Sequence, residues 1–121
     1  MEQLYNQIQV YLNMEEEISF EEFSDFYQKV IDRLGEKNDS FAEDDIWKGL
    51  FITENIMSNA RARAQETKNA QMKKKYKKMA QRTELWAKNL LSRLYQLGYK
   101  DEEINERFEQ MLAEEPNQSL K

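Results

Sequence analysis

The side chains most able to take part in binding chemistry are lysines and arginines concentrated in the middle of the chain. Residues 58–100 contain 12 basic and 2 acidic side chains, whereas residues 1–57 contain 14 acidic and 4 basic ones and residues 101–121 contain 7 acidic and 2 basic ones. Cations at this density can bind phosphates, an anionic membrane surface or an acidic protein surface. The residues predicted to form an interaction surface are Arg61, Arg63, Lys68, Lys73, Lys74, Lys75, Lys77, Lys78 and Arg82.

This basic segment is predicted to be helical and charged on one side. At about 100° per residue, the lysines of residues 73–78 spread over about 200° of a helix, and Met72, Tyr76 and Met79 occupy the remaining sector. One side can therefore be buried while the other stays charged. Acidic helices of the same chain or of a second subunit could neutralise the charged side, or it could simply be solvated.

A protein partner is preferred over nucleic acid and over a membrane surface. The net charge of -5 and the pI of about 4.9 oppose long-range attraction to phosphates. The charged side lacks aromatic residues on which bases could stack, and the apolar side has alanine, methionine and one tyrosine rather than leucine and tryptophan. We predict a small non-enzymatic adaptor, regulatory or accessory protein, homodimeric, whose protein partner the sequence does not identify. The alternative is a nucleic-acid-binding accessory protein that uses residues 61–82.

Paired carboxylates indicate a more remote alternative. Glu21 and Glu22 are followed by Asp25 at helical spacing, and Glu36 is followed by Asp39. These pairs resemble the acidic motifs of the all-helical nucleotide pyrophosphatases of the MazG type, and the resemblance implies Mg²⁺ held on the phosphates of a nucleotide. The second pair lies in a predicted loop, which departs from the helical placement of that family. A magnesium-dependent pyrophosphatase is therefore the third hypothesis, and no catalytic residue, cofactor or metal ligand is predicted.

Other chemistries are excluded by composition. The chain has no histidine and no cysteine, which excludes Ser-His-Asp and Cys-His catalysis, the usual zinc sites and the Glu-x-x-His di-iron bundle. Residues 18–23 look like the end of an EF-hand loop, but Tyr11 would then replace the first acidic ligand and Glu16 the glycine of the sharp turn. A capping box formed by Ser19 and Glu22 explains the same segment without an ion.

Helices are the elements expected to position these residues. Three glycines and one proline in 121 residues are too few for the turns of an all-β fold. We predict an all-α fold, a four- or five-helix bundle with a long central helical hairpin or, alternatively, one long helix. A single helical domain is expected over residues 1–115, and a flexible C-terminal tail over residues 116–121.

Local signals predict the ends of the first helices. The first helix is expected over residues 2–13. The second is expected to start after an N-cap at Ser19 and to stop at Gly35, with a loop following it at residues 36–39. Ser40 and Glu43 form a possible capping box for the third helix.

The choice between a hairpin and one long helix depends on the segment between Gly49 and Gly98, which contains no glycine or proline. A tight turn near residues 67–69 would produce the hairpin, which length statistics favour. Gly98 is expected to end this region, and Asp101 to cap the last helix. The apolar series predicted to face the core before Gly98 is Met72, Tyr76, Met79, Thr83, Trp86, Leu90, Leu94 and Leu97.

The sequence also bears on cellular location. No apolar run reaches the roughly 20 residues that a membrane helix requires. The N-terminus lacks the basic and apolar regions of a signal peptide. A cytoplasmic location is therefore the expectation.

Overall fold

The computed structural model describes residues 1–37 and 41–114, and this part of the chain is built from helices and short connections. The predicted all-α fold is confirmed, and the arrangement fits a five-helix bundle with a long central helix pair. The helices are α1 (Glu2–Leu12), α2 (Phe20–Lys37), α3 (Glu43–Glu66), α4 (Ala70–Gln96) and α5 (Asp101–Ala113).

The helices α3 and α4 form the central hairpin and share the most extensive helix–helix interface of the described chain. They are joined by residues 67–69, where the Asn69 Oδ1 atom accepts hydrogen bonds from the backbone N–H groups of Gln71 (2.9 Å) and Met72 (3.1 Å). This N-cap satisfies donors that the first turn of α4 would otherwise leave free. Gly98 follows α4 with a φ of 99°, a left-handed conformation that suits glycine. The hairpin is confirmed, and the single long helix is excluded.

Small residues allow the helices of the hairpin to approach their neighbours closely. A Cβ atom built on Gly49 would lie 3.1 Å from Cδ1 of Leu90 on α4 and 3.6 Å from Cδ2 of Leu34 on α2. A larger side chain at Gly49 would therefore push two helices away from α3. Four buried alanines also lie on α3 and α4, namely Ala60, Ala64, Ala80 and Ala87.

The core is centred on α3. Phe51 has no exposed surface, and its ring centroid lies 5.5 Å from that of Tyr5 on α1 and 5.8 Å from that of Phe108 on α5. Trp47 is also buried, and its ring lies 5.1 Å from that of Tyr99. All three pairs meet edge to face, a favourable geometry for aromatic rings. Side chains of α3 thus connect α1 with α5.

A buried glutamine attaches the end of α5 to α1. The Gln9 Nε2 atom donates to the backbone oxygen of Met111 at 2.7 Å and to Oη of Tyr5 at 2.9 Å. The Tyr5 hydroxyl in turn donates to Oε2 of Glu114 at 2.7 Å. The Met111 carbonyl lies in the last turn of α5, where it also accepts a hydrogen bond from the backbone N–H of Glu114 at 3.2 Å. Gln9 therefore adds a second donor to this carbonyl, and that donor comes from α1.

The start of α2 agrees with the prediction, but its end does not. The backbone N–H of Glu22 donates to Oγ of Ser19 at 3.1 Å, as expected for an N-cap. Gly35 does not stop the helix, because it has no left-handed φ and α2 continues through it to Lys37. The loop predicted at residues 36–39 is therefore wrong at its first two positions, and its last two positions lie outside the described residues.

The N-caps of α5 and α3 also differ from the predictions. Asp101 is the first residue of α5 rather than its cap, and the N-cap is Lys100, whose backbone N–H donates to Oε1 of Glu103 at 3.0 Å. The N-cap of α3 is Ala42, which offers no side-chain hydrogen bond. The predicted capping box needs Glu43 three residues after the N-cap, whereas Glu43 directly follows the N-cap Ala42, so that box is not formed. Ser40 itself lies outside the described residues.

The apolar series predicted for the helix before Gly98 is buried over most of its length. Leu97 is the error, since it is 53% exposed and follows the last residue of α4. Met72 and Trp86 are partly buried against the core. The fully or largely buried members are Tyr76, Met79, Thr83, Leu90 and Leu94.

Candidate interaction surface

Eight of the nine predicted interaction residues are exposed, and seven of these eight lie around the tip of the hairpin and on the first half of α4. The helical phase of α4 turns Tyr76, Met79 and Ala80 into the core and leaves the lysines between them outside. We call the seven residues the basic surface: Lys68, Lys73, Lys74, Lys75, Lys77, Lys78 and Arg82.

The basic surface is not neutralised from within the described chain. Over residues 1–37 and 41–114, none of its seven cations forms an ion pair. Lys75 makes a different contact, with its Nζ atom 5.5 Å from the ring centroid of Phe20 at the start of α2. The ion pairs of the acidic helices lie elsewhere, for example between Lys48 and both Glu2 and Asp44. The acidic helices of this part of the chain therefore leave the basic surface available to another molecule.

Arg61 lies beside the basic surface and is partly neutralised. Its Nη2 atom is 3.2 Å from Oε2 of Glu84, and the other oxygen of Glu84 is 3.2 Å from Nζ of Lys88. The carboxyl of Glu54 interacts electrostatically with both Arg61 and Glu84. Burial raises the pKa of the Glu54 carboxyl, Arg61 opposes that rise, and the charge of Glu84 adds to it.

We expect the substitution Glu54→Gln to stabilise the protein at neutral pH but not in acid. The pKa of Glu54 is higher in the folded chain than its ordinary value of 4.5, so the ionised carboxylate opposes folding above the folded pKa. Below 4.5 the carboxyl is protonated in both states, and its effect disappears. Because the group is partly exposed, the expected gain in melting temperature at pH 7 is only about 1–2 °C. Thermal unfolding of both proteins between pH 3.5 and 7 measures it, and a gain that does not shrink in acid contradicts the assignment.

Arg63 is buried and does not belong to the basic surface, contrary to the prediction. Only 8% of the residue is exposed, and its guanidinium carbon lies 4.6 Å from the ring centroid of Phe23 and 5.9 Å from that of Tyr76. Its Nε atom donates to Oδ1 of Asn59 at 2.7 Å, and its Nη2 atom donates to the backbone oxygen of Ile18 at 2.8 Å. Arg63 therefore fastens the segment between α1 and α2 onto α3.

The helical phase of α3 contained the signal for this burial. Arg63 follows Ile56 by seven residues and Ala60 by three, and both of these are buried. Residues at these spacings share one face of a helix, so Arg63 lies on the apolar stripe of α3. The long aliphatic stem of an arginine allows it to occupy such a position.

A groove of about 270 Å³ runs between α3 and α4 beside the basic surface. Its cationic lining comes from Arg61, Lys73 and Lys77, and its neutral polar lining from Gln65 and Gln81. These groups are hydrogen-bond donors suited to a carboxylate or a phosphate oxygen. Glu84, the ion-pair partner of Arg61, lines the same groove and reduces its positive charge.

The carboxylate pairs of the third hypothesis do not form a metal cluster within the described residues. Glu21, Glu22 and Asp25 all lie on α2 and are exposed. Throughout the described ranges, no three acidic side chains approach closely enough to hold a metal ion. Asp39 lies outside these ranges, so the second pair is not tested.

Comparison with known proteins adds no family to this geometry. No protein-family model, no curated protein and no solved structure matches the chain. None of the helices in the described segments has both the length and the apolar character needed to cross a membrane.

Proposed function

We propose that this chain is a non-enzymatic helical binding protein, an adaptor or regulator, that docks onto an acidic surface of a protein partner through the basic surface. The observation that carries the proposal is the set of seven exposed cations without an ion pair in the described residues. Most of them lie on a helix anchored by buried side chains, so the backbone positions that carry these cations are set before a partner binds. Such an array steers a partner of opposite charge and restricts its orientation.

Charges next to the basic surface favour a protein partner over nucleic acid. Phe20 at the start of α2 packs against Tyr76 with ring centroids 5.5 Å apart, which brings the first turn of α2 close to the basic helix. That turn carries the exposed carboxylates Glu21 and Glu22. A polyphosphate backbone would be repelled by them, whereas a protein surface can present groups complementary to both signs.

A nucleic-acid accessory function is the second candidate, supported by the groove of Arg61, Lys73 and Lys77. Lys73 and Lys77 can hold phosphate oxygens in this concave site, next to Arg61, which is already paired with Glu84. In that case binding would fall steeply as the salt concentration rises. It would also follow nucleic acid rather than a particular protein.

A capture experiment with matched charge variants tests the proposal. The double variant Lys74→Glu/Lys78→Glu reverses two cations of the basic surface. The control Lys29→Glu/Arg33→Glu makes the same change in net charge at two exposed positions of α2. Tagged proteins are incubated with lysate of the encoding organism, with and without nuclease, and bound proteins are quantified by mass spectrometry. We expect a partner recovered by the native protein and by the control, and recovered at least about tenfold less by the basic-surface variant.

The two candidates give different results in this experiment. Recovery that survives nuclease and is lost with the basic-surface variant supports the protein partner. Recovery that vanishes on nuclease treatment supports the nucleic-acid function. Equal recovery by both variants shows that the basic surface is not the docking site. Nucleotide hydrolysis with Mg²⁺ that is lost in Glu22→Gln would contradict the non-enzymatic proposal.

The proposal includes a homodimer in the cytoplasm. Large exposed apolar side chains support association, in particular Leu85 (69% exposed), Leu112 (57%) and Leu97 (53%). Light scattering at micromolar concentration tests the dimer. A measured mass near 14.6 kDa, the mass of one chain, would contradict it.

A further inference from the structure

A cavity of about 140 Å³ lies away from the basic surface, between the end of α1, the segment that joins α1 to α2, the start of α2 and one side of α3. Its apolar wall includes Ile8, Phe23, Phe26 and Ile56. An engineered apolar cavity of about 150 Å³ in another protein binds benzene. This cavity is therefore large enough for one branched or aromatic group of similar size.

The cavity has a buried cation in its wall that lacks a counter-charge. Arg63 is only 8% exposed, yet no carboxylate of the described residues pairs with it. Its protein acceptors are the neutral oxygens of Asn59, Ile18 and, at 3.4 Å, Tyr76. Guanidinium has five N–H donors, so two have no acceptor among the described residues. A buried charge without an opposite charge is unfavourable, and an anion in the cavity would relieve that cost.

Asn59 supplies a second donor at the same place. Its Oδ1 atom accepts the hydrogen bond from Nε of Arg63, which fixes the orientation of the amide and leaves Nδ2 as a donor. Within the described segments this Nδ2 atom has no acceptor. Both residues line the cavity, and together they offer N–H donors for the two oxygens of a carboxylate.

The opposite charge is present at the rim. The exposed residues Glu15, Glu16 and Glu17 belong to the segment between α1 and α2 and also line the cavity. They would attract an ammonium group and would repel a simple anion. The cavity thus combines an apolar wall, N–H donors suited to a carboxylate and an acidic rim. These features match a ligand that has an apolar group, a carboxylate and an ammonium group.

We propose that this cavity binds a free α-amino acid with a branched or aromatic side chain. The side chain fills the apolar part, the carboxylate binds Arg63 and Asn59, and the ammonium group faces the carboxylates of Glu15–Glu17. This site is independent of the basic surface, and its ligand need not take part in docking to a partner.

Titration of the full-length, ¹⁵N-labelled protein with defined small molecules tests the proposal. We expect L-leucine to cause saturable amide shifts confined to the cavity, with a Kd on the order of 1 mM or tighter. Isocaproate, which lacks the ammonium, and isoamylamine, which lacks the carboxylate, should each bind at least about fivefold more weakly. L-Alanine should bind at least about tenfold more weakly, because it leaves the apolar part unfilled. No saturable shift up to about 10 mM L-leucine, or equal affinity for alanine, overturns the proposal.

The variant Asn59→Asp tests the carboxylate site without risking the fold. A carboxylate next to Nε of Arg63 would supply the missing counter-charge, so we expect a higher melting temperature and at least about tenfold weaker leucine binding. Asn89→Asp makes the same change at an exposed position of α4 outside the cavity and should leave the affinity unchanged. Unchanged leucine binding by Asn59→Asp contradicts the carboxylate assignment.

The acidic rim is tested by the triple variant Glu15→Gln/Glu16→Gln/Glu17→Gln. It should weaken L-leucine binding but leave isocaproate binding equal or stronger, because only leucine has an ammonium group. A loss of affinity for both ligands, or for neither, overturns the assignment of the ammonium group.

Discussion

Replacing Phe51 by alanine is expected to lower the free energy of unfolding by about 3–5 kcal/mol, the largest effect of any single substitution considered. Phe51 has no exposed surface and packs edge to face against Tyr5 of α1 and Phe108 of α5. Alanine would remove this burial, leave a cavity in the core and break both aromatic contacts. A loss of this size is a large fraction of the 5–15 kcal/mol that stabilises a typical domain.

Urea unfolding followed by tryptophan fluorescence measures this effect, since the buried Trp47 one turn earlier on α3 changes environment on unfolding. Phe51→Leu keeps most of the apolar volume and should cost less than about 1.5 kcal/mol. Leu85→Ala removes a side chain that is 69% exposed and should cost less than about 0.5 kcal/mol. A cost for Phe51→Ala no larger than that of Leu85→Ala would contradict the position of Phe51 in the core.

Replacing Arg63 by alanine is expected to lower the free energy of unfolding by about 2–4 kcal/mol. The change removes the hydrogen bonds to Asn59 and to the backbone oxygen of Ile18, together with the packing of the guanidinium on Phe23 and Tyr76. The segment that joins α1 to α2 loses an attachment to α3 and should open more often than the rest of the chain.

A glutamate-specific protease detects this local opening, because Glu15, Glu16 and Glu17 lie in that segment. We expect cleavage there to be at least about tenfold faster in Arg63→Ala than in the native protein. Arg63→Lys keeps the charge but not the planar fork of donors, so its loss of stability should be intermediate. Arg82→Ala removes an exposed arginine and should change neither stability nor cleavage. Native-like resistance of the Arg63→Ala segment would show that Arg63 does not fasten it.

Much of the helical architecture follows from short-range patterns in the sequence. Ser19 caps α2 and Gly98 follows the end of α4, because a cap depends only on residues within one helical turn. The turn at residues 67–69 was also predicted. The alternative of one long helix stayed open, because only the tertiary structure shows which segments the apolar faces pack against. Gly35 shows the limit of this reasoning, since a glycine permits a left-handed stop but does not require one.

The sequence predicted the exposure of the lysines in the candidate surface, but not the burial of Arg63. The lysines of residues 73–78 are exposed, because helical phase alone separates them from Tyr76 and Met79. Arg63 was assigned to that surface by its charge, whereas its phase on α3 places it in the interior. The lack of ion pairs at the basic surface within residues 1–37 and 41–114 could not be predicted, because ion pairing depends on where the acidic helices lie in space.

Local sequence thus established the helical class, most helix boundaries and the outward phase of the basic residues, since each depends on neighbours a few positions apart. The packing of the chain established the rest. Gln9 and Met111 are 102 positions apart, and Arg63 and Ile18 are 45 apart, yet both pairs are hydrogen-bonded. The attachment of α5, the burial of Arg63 and the cavity beside it arise where distant segments meet, and no pattern within one segment specifies which other segment will cover it.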